Sequence, residues 1–239
     1  GLKWQHNIPT DDIRRKYEEA GIQFLHPLYF QAKPQSRVVA ELYRLPTKRR
    51  PFPGPGLYVR AIGQITEEKM EVVREADAIA TPALGEIVET IDNGLDKQYF
   101  CAIAESWRRP FTIDIDYEGI EIEYADIYRA RVTGMSENRR VYRNLLVIQS
   151  KNEIPDLIGQ ANNIVRTNSD RGVGRIALDV GSRDEGEYTA LLRAIKTTDF
   201  RTAQVVPLPM SRLESIADKL LKEIPKLDCV AFDIQPKPD

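Results

Sequence analysis

Hydrophobic and polar residues alternate most regularly between residues 120 and 151. Every second position from 120 to 128 lies on one side of an extended strand, which carries Ile120, Ile122, Tyr124, Asp126 and Tyr128. Four of these five residues are hydrophobic or aromatic. The exception is Asp126, which places a carboxylate in an apolar row. Burying a carboxylate is unfavourable unless the charge is paired or holds a metal, so this residue requires a structural or a functional reason.

A second alternating segment, residues 144–151, ends in polar side chains. It places Leu145, Val147, Gln149 and Lys151 on one side of the chain. Upstream, helical spacing begins at Thr66, breaks near residues 81–82 and resumes to about residue 90, and a β-rich block covers residues 98–151. The pattern predicts that two neighbouring strands carry Asp126, Gln149 and Lys151.

After residue 151 the pattern changes to helices and strands in alternation. We predict helices at 156–166, 187–197 and 211–224, and strands at 175–180, 202–208 and 229–235. Such alternation favours parallel strands covered by helices. The predicted fold class is therefore α/β: a mixed sheet with helices on its faces, a β-rich middle segment and an alternating β/α C-terminal part.

Residues 46–56 mark a boundary, because four prolines and two glycines in this segment exclude a helix or a central strand. Residues 1–56 are predicted to form a small mixed α/β segment with a short helix at 10–20. Residues 57–239 are predicted to form an α/β domain that opens with a strand at 57–62.

Composition narrows the class further. The net charge is −2 with 29% charged residues, so the whole molecule is not attracted to nucleic acid or to an anionic membrane, and only local clusters could bind polyanions. No apolar run approaches a membrane helix, and Cys101 and Cys229 lack metal-site spacing, which favours a cytoplasmic protein with buried thiols. A start at Gly1 fits a tag remnant or a domain cut from a longer protein.

The elements between residues 66 and 180 resemble the core of the PD-(D/E)xK nuclease superfamily. In that family a helix, three strands, a helix and a strand follow one another, and acids on the second and third strands hold a divalent metal beside a lysine. The resemblance implies that Asp126 is the first acid, that Gln149 stands where the second acid is expected, and that Lys151 is the lysine. Glu86 or Glu89 would be the acid of the helix.

The chemistry of such a site follows from its side chains. A carboxylate and an amide oxygen are suitable ligands for Mg²⁺ or Mn²⁺, which would polarise a phosphodiester and lower the pKa of a bound water. Gln149 and Lys151 would be about 6.6 Å apart along one strand face. We therefore consider Asp126, Gln149 and Lys151 as catalytic candidates, and Asp126, Gln149 and Glu86 as metal ligands. The alternative is structural, with Asp126 and Lys151 forming a salt bridge between paired strands.

Basic residues cluster beside aromatic ones in two further places. Trp107 precedes Arg108 and Arg109, and Tyr142 lies among Arg139, Arg140 and Arg143. Arginines can pair with phosphates while aromatic rings stack on bases, so these five arginines are candidates for nucleic-acid binding. The alternative is that basic residues in a chain of this size must cluster somewhere.

Two weaker patterns remain. Asp114 and Asp116 form a DxD pair, which we interpret as part of a solvated strand face. The segment from Asp179 to Ser182 lies at the end of a predicted strand, where ligands bind in open α/β sheets, and would suit a transferase.

The sequence thus supports three hypotheses. The first is a nuclease-like domain that binds or hydrolyses nucleic acid with a divalent metal. The second is a non-catalytic α/β module that binds a partner protein or a small ligand within a larger assembly. The third is a transferase that uses the loop after Asp179.

Overall fold

The computed structural model divides the chain into two compact units, Gly1–Gly54 and Pro55–Asp239. It describes residues 59–91, 96–113, 117, 119–136, 139–183, 185–197 and 203–236, all within the second unit. The predicted N-terminal segment 1–56, its helix at 10–20 and the DxD pair at 114–116 lie outside the described residues. The boundary between the two predicted domains stays a prediction.

Three α-helices and eight strands are the main elements of the described part, which also contains a short 3-10 helix at Ser169–Arg171. The helices are α1 (Glu67–Ile91), α2 (Ile154–Thr167) and α3 (Met210–Glu223). The strands are β1 (Asp96–Glu105), β2 (Arg108–Pro110), β3 (Tyr124–Ser136), β4 (Arg139–Gln149), β5 (Val173–Ser182), β6 (Tyr188–Thr197), β7 (Gln204–Val205) and β8 (Leu227–Asp233).

All eight strands belong to one mixed sheet. Its order is β1-β6-β8-β5-β4-β3-β2, and β7 pairs with β6. The pairs β4 with β5 and β6 with β8 are parallel, and the other pairs are antiparallel. An open mixed sheet with helices packed on it confirms the predicted fold class.

The two faces of the sheet differ in the size of their buried side chains. On the first, which we call the helix face, large apolar side chains such as Ile148, Leu178 and Phe232 pack against the three helices. On the second, which we call the site face, the buried residues are mostly small, with Tyr128 the largest: Ala102, Ala104, Tyr128, Ala130, Val132, Leu145, Val147, Ala177, Leu191, Cys229 and Ala231. Both cysteines are free and buried, as predicted.

The sequence predictions for α2, α3, β5 and β8 are confirmed within a few residues. The helix predicted at 187–197 is wrong, because these residues form strand β6 between β1 and β8. A strand buried on both faces reads as a continuous hydrophobic run, and Ala, Leu, Arg and Lys in that run also favour helix.

The first helix also differs from the prediction. Helix α1 continues through Pro82, although a break was predicted there. The carbonyl that loses its helical partner to the proline is that of Ala78, an exposed residue, so water can replace the missing hydrogen bond. Of the strand predicted at 57–62, the described residues 59–62 form only a bridge between Ala61 and Ile103. Within the described residues, no helix is long and apolar enough to cross a membrane.

Candidate functional site

A polar cavity of about 360 Å³ opens on the site face where the parallel strands β4 and β5 end. Gln149 and Ser182 are the last residues of these strands, while Tyr124 and Arg108 are the first residues of β3 and β2. The full lining consists of Arg108, Tyr124, Asp126, Tyr128, Val147, Gln149, Asp179 and Ser182. We call this space the β4–β5 cavity.

Asp126 is the buried acid of this cavity. Only 5% of its surface is exposed, and its Oδ1 atom accepts a hydrogen bond of 2.9 Å from the Tyr124 hydroxyl. Its Oδ2 atom lies 3.7 Å from Nε of Arg108, which is an ion-pair distance rather than a hydrogen bond. The acid in the apolar row is thus paired with an arginine from the short strand β2.

Arg108 is the cation of the cavity. One terminal nitrogen donates a hydrogen bond of 2.9 Å to the Tyr128 hydroxyl, and the guanidinium carbon lies 5.9 Å from the centre of the Tyr128 ring. Burial raises the pKa of Tyr128, so this phenol stays neutral at physiological pH. The positive charge of Arg108 therefore remains available to Asp126 and to the cavity.

Asp179 on β5 is the second acid that lines the cavity. The side-chain nitrogen of Gln149 donates a hydrogen bond of 3.0 Å to Oδ2 of Asp179, and the backbone nitrogen of Gly181 donates one of 2.9 Å to Oδ1. Since a carboxylate only accepts hydrogen bonds, the Gln149 nitrogen must face it, which leaves the amide oxygen as an acceptor.

The structure brings together only part of the predicted catalytic set. Asp126 and Gln149 line the β4–β5 cavity, but Lys151 does not. The side chain of Lys151 is 82% exposed and pairs with Glu123, so the predicted alternative of an Asp126–Lys151 salt bridge does not form. Glu86 is an exposed residue of α1, which packs on the helix face.

The residues predicted to bind a metal do not include enough acids that lie close together. Among the residues that the structure describes, no three His, Cys, Asp or Glu side chains form a group that could hold a metal ion. The assignment of Mg²⁺ or Mn²⁺ to Asp126, Gln149 and Glu86 stays a prediction.

Three of the five arginines predicted to bind nucleic acid have side chains that the structure describes, and these three occupy different environments. Arg108 lines the cavity, Arg109 is exposed, and a terminal nitrogen of Arg143 donates a hydrogen bond of 2.5 Å to the carbonyl of Ser169. The side chains of Arg139 and Arg140 lie outside the described part of the structure. Of the three described guanidinium groups, those of Arg108 and Arg143 are thus engaged by groups of the protein itself.

Asp228 on β8 is a further buried acid near Arg108. Asp228 is 4% exposed, accepts a hydrogen bond of 3.2 Å from the Thr189 hydroxyl, and accepts a second bond from the Ser106 hydroxyl. Burial raises the pKa of Asp228, and these hydrogen bonds and the charge of Arg108 oppose that rise.

Sequence reasoning missed the way these residues assemble. Arg108 was interpreted as part of a nucleic-acid surface, and Asp179 and Ser182 were considered apart from Asp126. The available signal was the position of Gln149 and Ser182 at the carboxyl ends of predicted strands, which become neighbours when the two strands are parallel.

Comparison with known proteins points away from nucleases. The family model described as GMP synthase C terminal domain matches residues 180–239. A subunit of the glutamine-hydrolyzing GMP synthase of Saccharolobus solfataricus is 34% identical over 241 residues, an alignment that covers all of this chain and 60% of the relative. The subunit of the same name from Sulfurisphaera tokodaii is 28% identical, with 100% of this chain and 61% of the relative covered.

A longer relative matches over nearly the same residues. The glutamine-hydrolyzing GMP synthase of Geobacillus kaustophilus is 27% identical, over 99% of this chain and 32% of the relative. The chain therefore spans about 60% of the length of the Saccharolobus and Sulfurisphaera subunits and about a third of this longer protein.

These matches correct the nuclease hypothesis. The resemblance of residues 66–180 to the PD-(D/E)xK superfamily and the function drawn from it are contradicted, because the relatives that align with the whole chain are GMP synthases. The expectation of a hydrolase acting on nucleic acid is wrong for the same reason, and nucleic acid as a partner is not supported. The geometry agrees, since Lys151 lies outside the cavity that Asp126 and Gln149 share.

Proposed function

We propose that this chain is part of a GMP synthase and corresponds to a portion of the Saccharolobus solfataricus subunit. The observation that carries this proposal is the 34% identity to that subunit over the whole of this chain. Of the sequence hypotheses, the comparisons favour the second, a module within a larger assembly, over the nuclease.

The fold supports extending the family match beyond residues 180–239. That segment contains β6, β7, β8 and α3, and its strands β6 and β8 lie side by side in the sheet between β1 and β5, in the order β1-β6-β8-β5-β4. Removing the upstream strands would leave the outer edges of β6 and β8 without the hydrogen bonds that β1 and β5 supply. The matched segment and the upstream residues 96–179 therefore fold as one unit, and we infer that they act as one.

We infer that the chain works with a protein partner. The Saccharolobus and Sulfurisphaera relatives are named as one subunit of their enzyme, whereas the matching region of the Geobacillus kaustophilus protein is about a third of a single longer chain. An activity divided between subunits requires that they associate. We also propose a cytoplasmic location, which the sequence predicts and which is expected for a biosynthetic enzyme.

A chimaera tests the proposal directly. Replacing the aligned 241 residues of the Saccharolobus solfataricus subunit with this chain should preserve glutamine-dependent formation of GMP when the remainder of that enzyme is supplied. We expect a rate within about tenfold of the parent, since a tenfold change corresponds to only about 1.4 kcal/mol in the activation barrier. Chromatographic detection of GMP provides the measurement.

A second chimaera provides the control. It carries only residues 180–239 of this chain, the segment that the family model matches, and keeps the parent sequence upstream. If this control is active and the full chimaera is folded but inactive, residues 1–179 do not perform the role of their counterparts, and the proposal is wrong for them. If both are folded and inactive, the proposal fails as a whole.

A further inference from the structure

The sheet consists of two equivalent halves, which we call the β8 half (β1, β6, α3 and β8) and the β5 half (β3, β4, α2 and β5). Their strands lie in the order β1-β6-β8-β5-β4-β3, so the halves meet where β8 pairs antiparallel with β5. In each half the outer strand is antiparallel to the middle strand, and the middle strand is parallel to the central one. A helix of 14 residues precedes the central strand in both halves. The topology therefore has a two-fold axis at the centre of the sheet.

Strand register and sequence repeat with the same symmetry. At the axis Leu178 pairs with Phe232, and Asp179 and Asp233 are the next residues of the two strands. The five-residue segments centred on this pair read IALDV and VAFDI, with alanine and aspartate at the same places. Asp179 and Asp233 are therefore equivalent residues.

The two aspartates also accept equivalent hydrogen bonds. The backbone nitrogen two residues further on donates to Oδ1, at 2.9 Å for Asp179 and at 3.1 Å for Asp233. A side chain of the parallel middle strand donates to Oδ2, from Gln149 on β4 at 3.0 Å and from Arg193 on β6 at 2.5 Å. Gln149 is thus the counterpart of Arg193.

The halves differ in the cations around the aspartate. Asp233 binds a second guanidinium group, because Arg175 of the other central strand donates a hydrogen bond of 2.8 Å to its Oδ2 atom. The strand registers make Cys229 the counterpart of Arg175, as Gln149 is that of Arg193. Both positions that place a guanidinium group on Asp233 therefore carry uncharged side chains in the β5 half.

Asp179 consequently lacks the cations of its counterpart. Within the described ranges, none of the ion pairs includes Asp179. The same cavity holds a second acid, Asp126, where the β8 half has Ala102. Since Arg108 is the one cation of the lining, two carboxylates leave the β4–β5 cavity with one negative charge in excess.

The groups of the cavity suit a guanidinium ion. An alkylguanidinium has five N–H donors and no acceptor, and carboxylates bind it through charge-assisted hydrogen bonds. Asp126, Asp179 and the amide oxygen of Gln149 are the acceptors. Tyr124 is 46% exposed and lines the cavity, and aromatic rings attract guanidinium ions to their faces. An anion would be repelled by the excess negative charge.

We propose that the β4–β5 cavity binds the guanidinium group of an alkylguanidinium ligand, in the place that two arginines fill around Asp233. Asp179 and Asp126 accept its hydrogen bonds, and Tyr124 lies against the cation. A small alkylguanidinium and an arginine side chain of a protein partner present the same group. The inference is carried by the comparison of the two halves and does not depend on the proposed function.

Nuclear magnetic resonance titration of the full chain at constant ionic strength tests the proposal. Ethylguanidinium carries the group, ethylammonium has the charge without the planar fork, and ethylurea is planar without the charge. We expect ethylguanidinium to shift the amide signals of the cavity residues with a dissociation constant on the order of 1–10 mM. The other two probes should bind at least about fivefold more weakly, because each lacks the charge or the paired donors.

A variant that fills the cavity connects the binding to this place. Gln149→Arg recreates the arginine–aspartate contact of the β8 half, and residue 149 is exposed, so the longer side chain can be accommodated. We expect it to weaken ethylguanidinium binding more than about tenfold, since the new side chain competes for Asp179. The matched control is Gln204→Arg, the same change at an exposed position of β7, which should leave binding unchanged.

A second variant removes the acceptor. Asp179→Asn can still accept the backbone hydrogen bond but has no charge, and it should also weaken binding about tenfold. Asp218→Asn, the same change at an exposed position of α3, is its control. The dispersion of the amide signals shows that each variant is folded.

Two arginine derivatives distinguish the sources of the group. N-acetylarginine N-methylamide presents the side chain as a protein does, whereas free arginine also carries an ammonium and a carboxylate. Tighter binding of the blocked form assigns the group to a protein partner, and tighter binding of free arginine assigns it to a small molecule.

Three results would overturn the proposal: no shifts with about 20 mM ethylguanidinium, equal affinity for ethylammonium or ethylurea, or unchanged binding by the folded variants Gln149→Arg and Asp179→Asn. None of them depends on GMP formation by the chimaera. An inactive chimaera therefore leaves this proposal intact, and an active one does not establish it.

Discussion

Arg108 balances the charge of Asp126 in the β4–β5 cavity. Its side chain is 28% exposed, but that of its partner Asp126 is only 7% exposed. Replacing Arg108 with alanine leaves a nearly buried carboxylate without a cation, and we expect the free energy of unfolding to fall by about 1–3 kcal/mol. Urea denaturation measures the change. Arg109→Ala removes an exposed neighbouring arginine and should change stability by less than about 0.5 kcal/mol. Equal effects of the two variants would contradict this account.

Asp228 should make stability depend on pH. Because burial raises the pKa of Asp228 above its ordinary value of 3.8, the protonated form favours the folded state. This contribution is fully present below pH 3.8 and is lost as the pH rises through the raised pKa. Asp228→Asn does not titrate and can still accept a hydrogen bond from Ser106 or Thr189. The stability of the variant relative to the parent should therefore increase as the pH rises through this window. Urea denaturation of both proteins at several pH values checks this, and a constant difference would refute it.

The alternation of hydrophobic and polar residues predicted the position of some residues of the candidate site but not of others. It correctly placed Asp126 and Gln149 on one side of neighbouring strands, where they line a common cavity. It failed for Lys151 because β4 ends at Gln149, and alternation has no meaning once the chain leaves the sheet. Arg108 could not be placed beside Asp126 from the sequence, since β2 has three residues and a segment that short has no periodic signal.

At the level of elements, the helices α2 and α3 were predictable and the strand β6 was not. Both helices present one apolar side to the sheet, so their hydrophobic positions repeat with the helical period. Strand β6 is buried on both faces between β1 and β8, so no alternation distinguishes its faces, and its leucines and alanines favour helix. The sheet neighbours, which lie far away in sequence, decide its structure.

Arg183 ties the end of β5 to the end of helix α3. Its guanidinium donates hydrogen bonds to the carbonyls of Leu221, Ile224 and Pro225 at 2.9, 3.1 and 2.5 Å, and to that of Leu227 at 2.6 Å. These carbonyls lie at and beyond the C-terminal turn of the helix, where a cation is also favoured by the helix dipole. We expect Arg183→Met to lower the free energy of unfolding by about 1–3 kcal/mol. It should also speed amide hydrogen exchange at residues 221–227.

The residues at which amide hydrogen exchange becomes faster show whether Arg183 stabilises the end of helix α3 locally or the whole protein. Arg212→Met changes an exposed arginine in the first turn of the same helix and should leave exchange at residues 221–227 unchanged. If Arg183→Met accelerates exchange uniformly over the sheet, or not at all, the tie between β5 and α3 is not what Arg183 provides.

At the scale of the whole molecule, a buried charge cluster joins strands that are distant in sequence. Asp233 on β8 is 1% exposed and pairs with Arg175 of β5 at 2.8 Å and with Arg193 of β6 at 2.5 Å. Arg175 also donates a hydrogen bond of 3.1 Å to the carbonyl of Thr133 on β3. The cluster therefore connects four strands of one sheet, and its loss should affect the sheet as a unit.

Asp233→Asn tests this connection without changing the size of the side chain. It removes the negative charge between two buried guanidinium groups, and we expect the free energy of unfolding to fall by about 3–5 kcal/mol. Because the cluster crosses the sheet, unfolding should remain a single transition when it is followed by both fluorescence and circular dichroism. Asp218→Asn, the same change at an exposed position, should have an effect below about 0.5 kcal/mol. Two separate transitions in Asp233→Asn would show that the cluster joins two regions that otherwise unfold independently, and a loss below about 1 kcal/mol would show that the strands are held together without it.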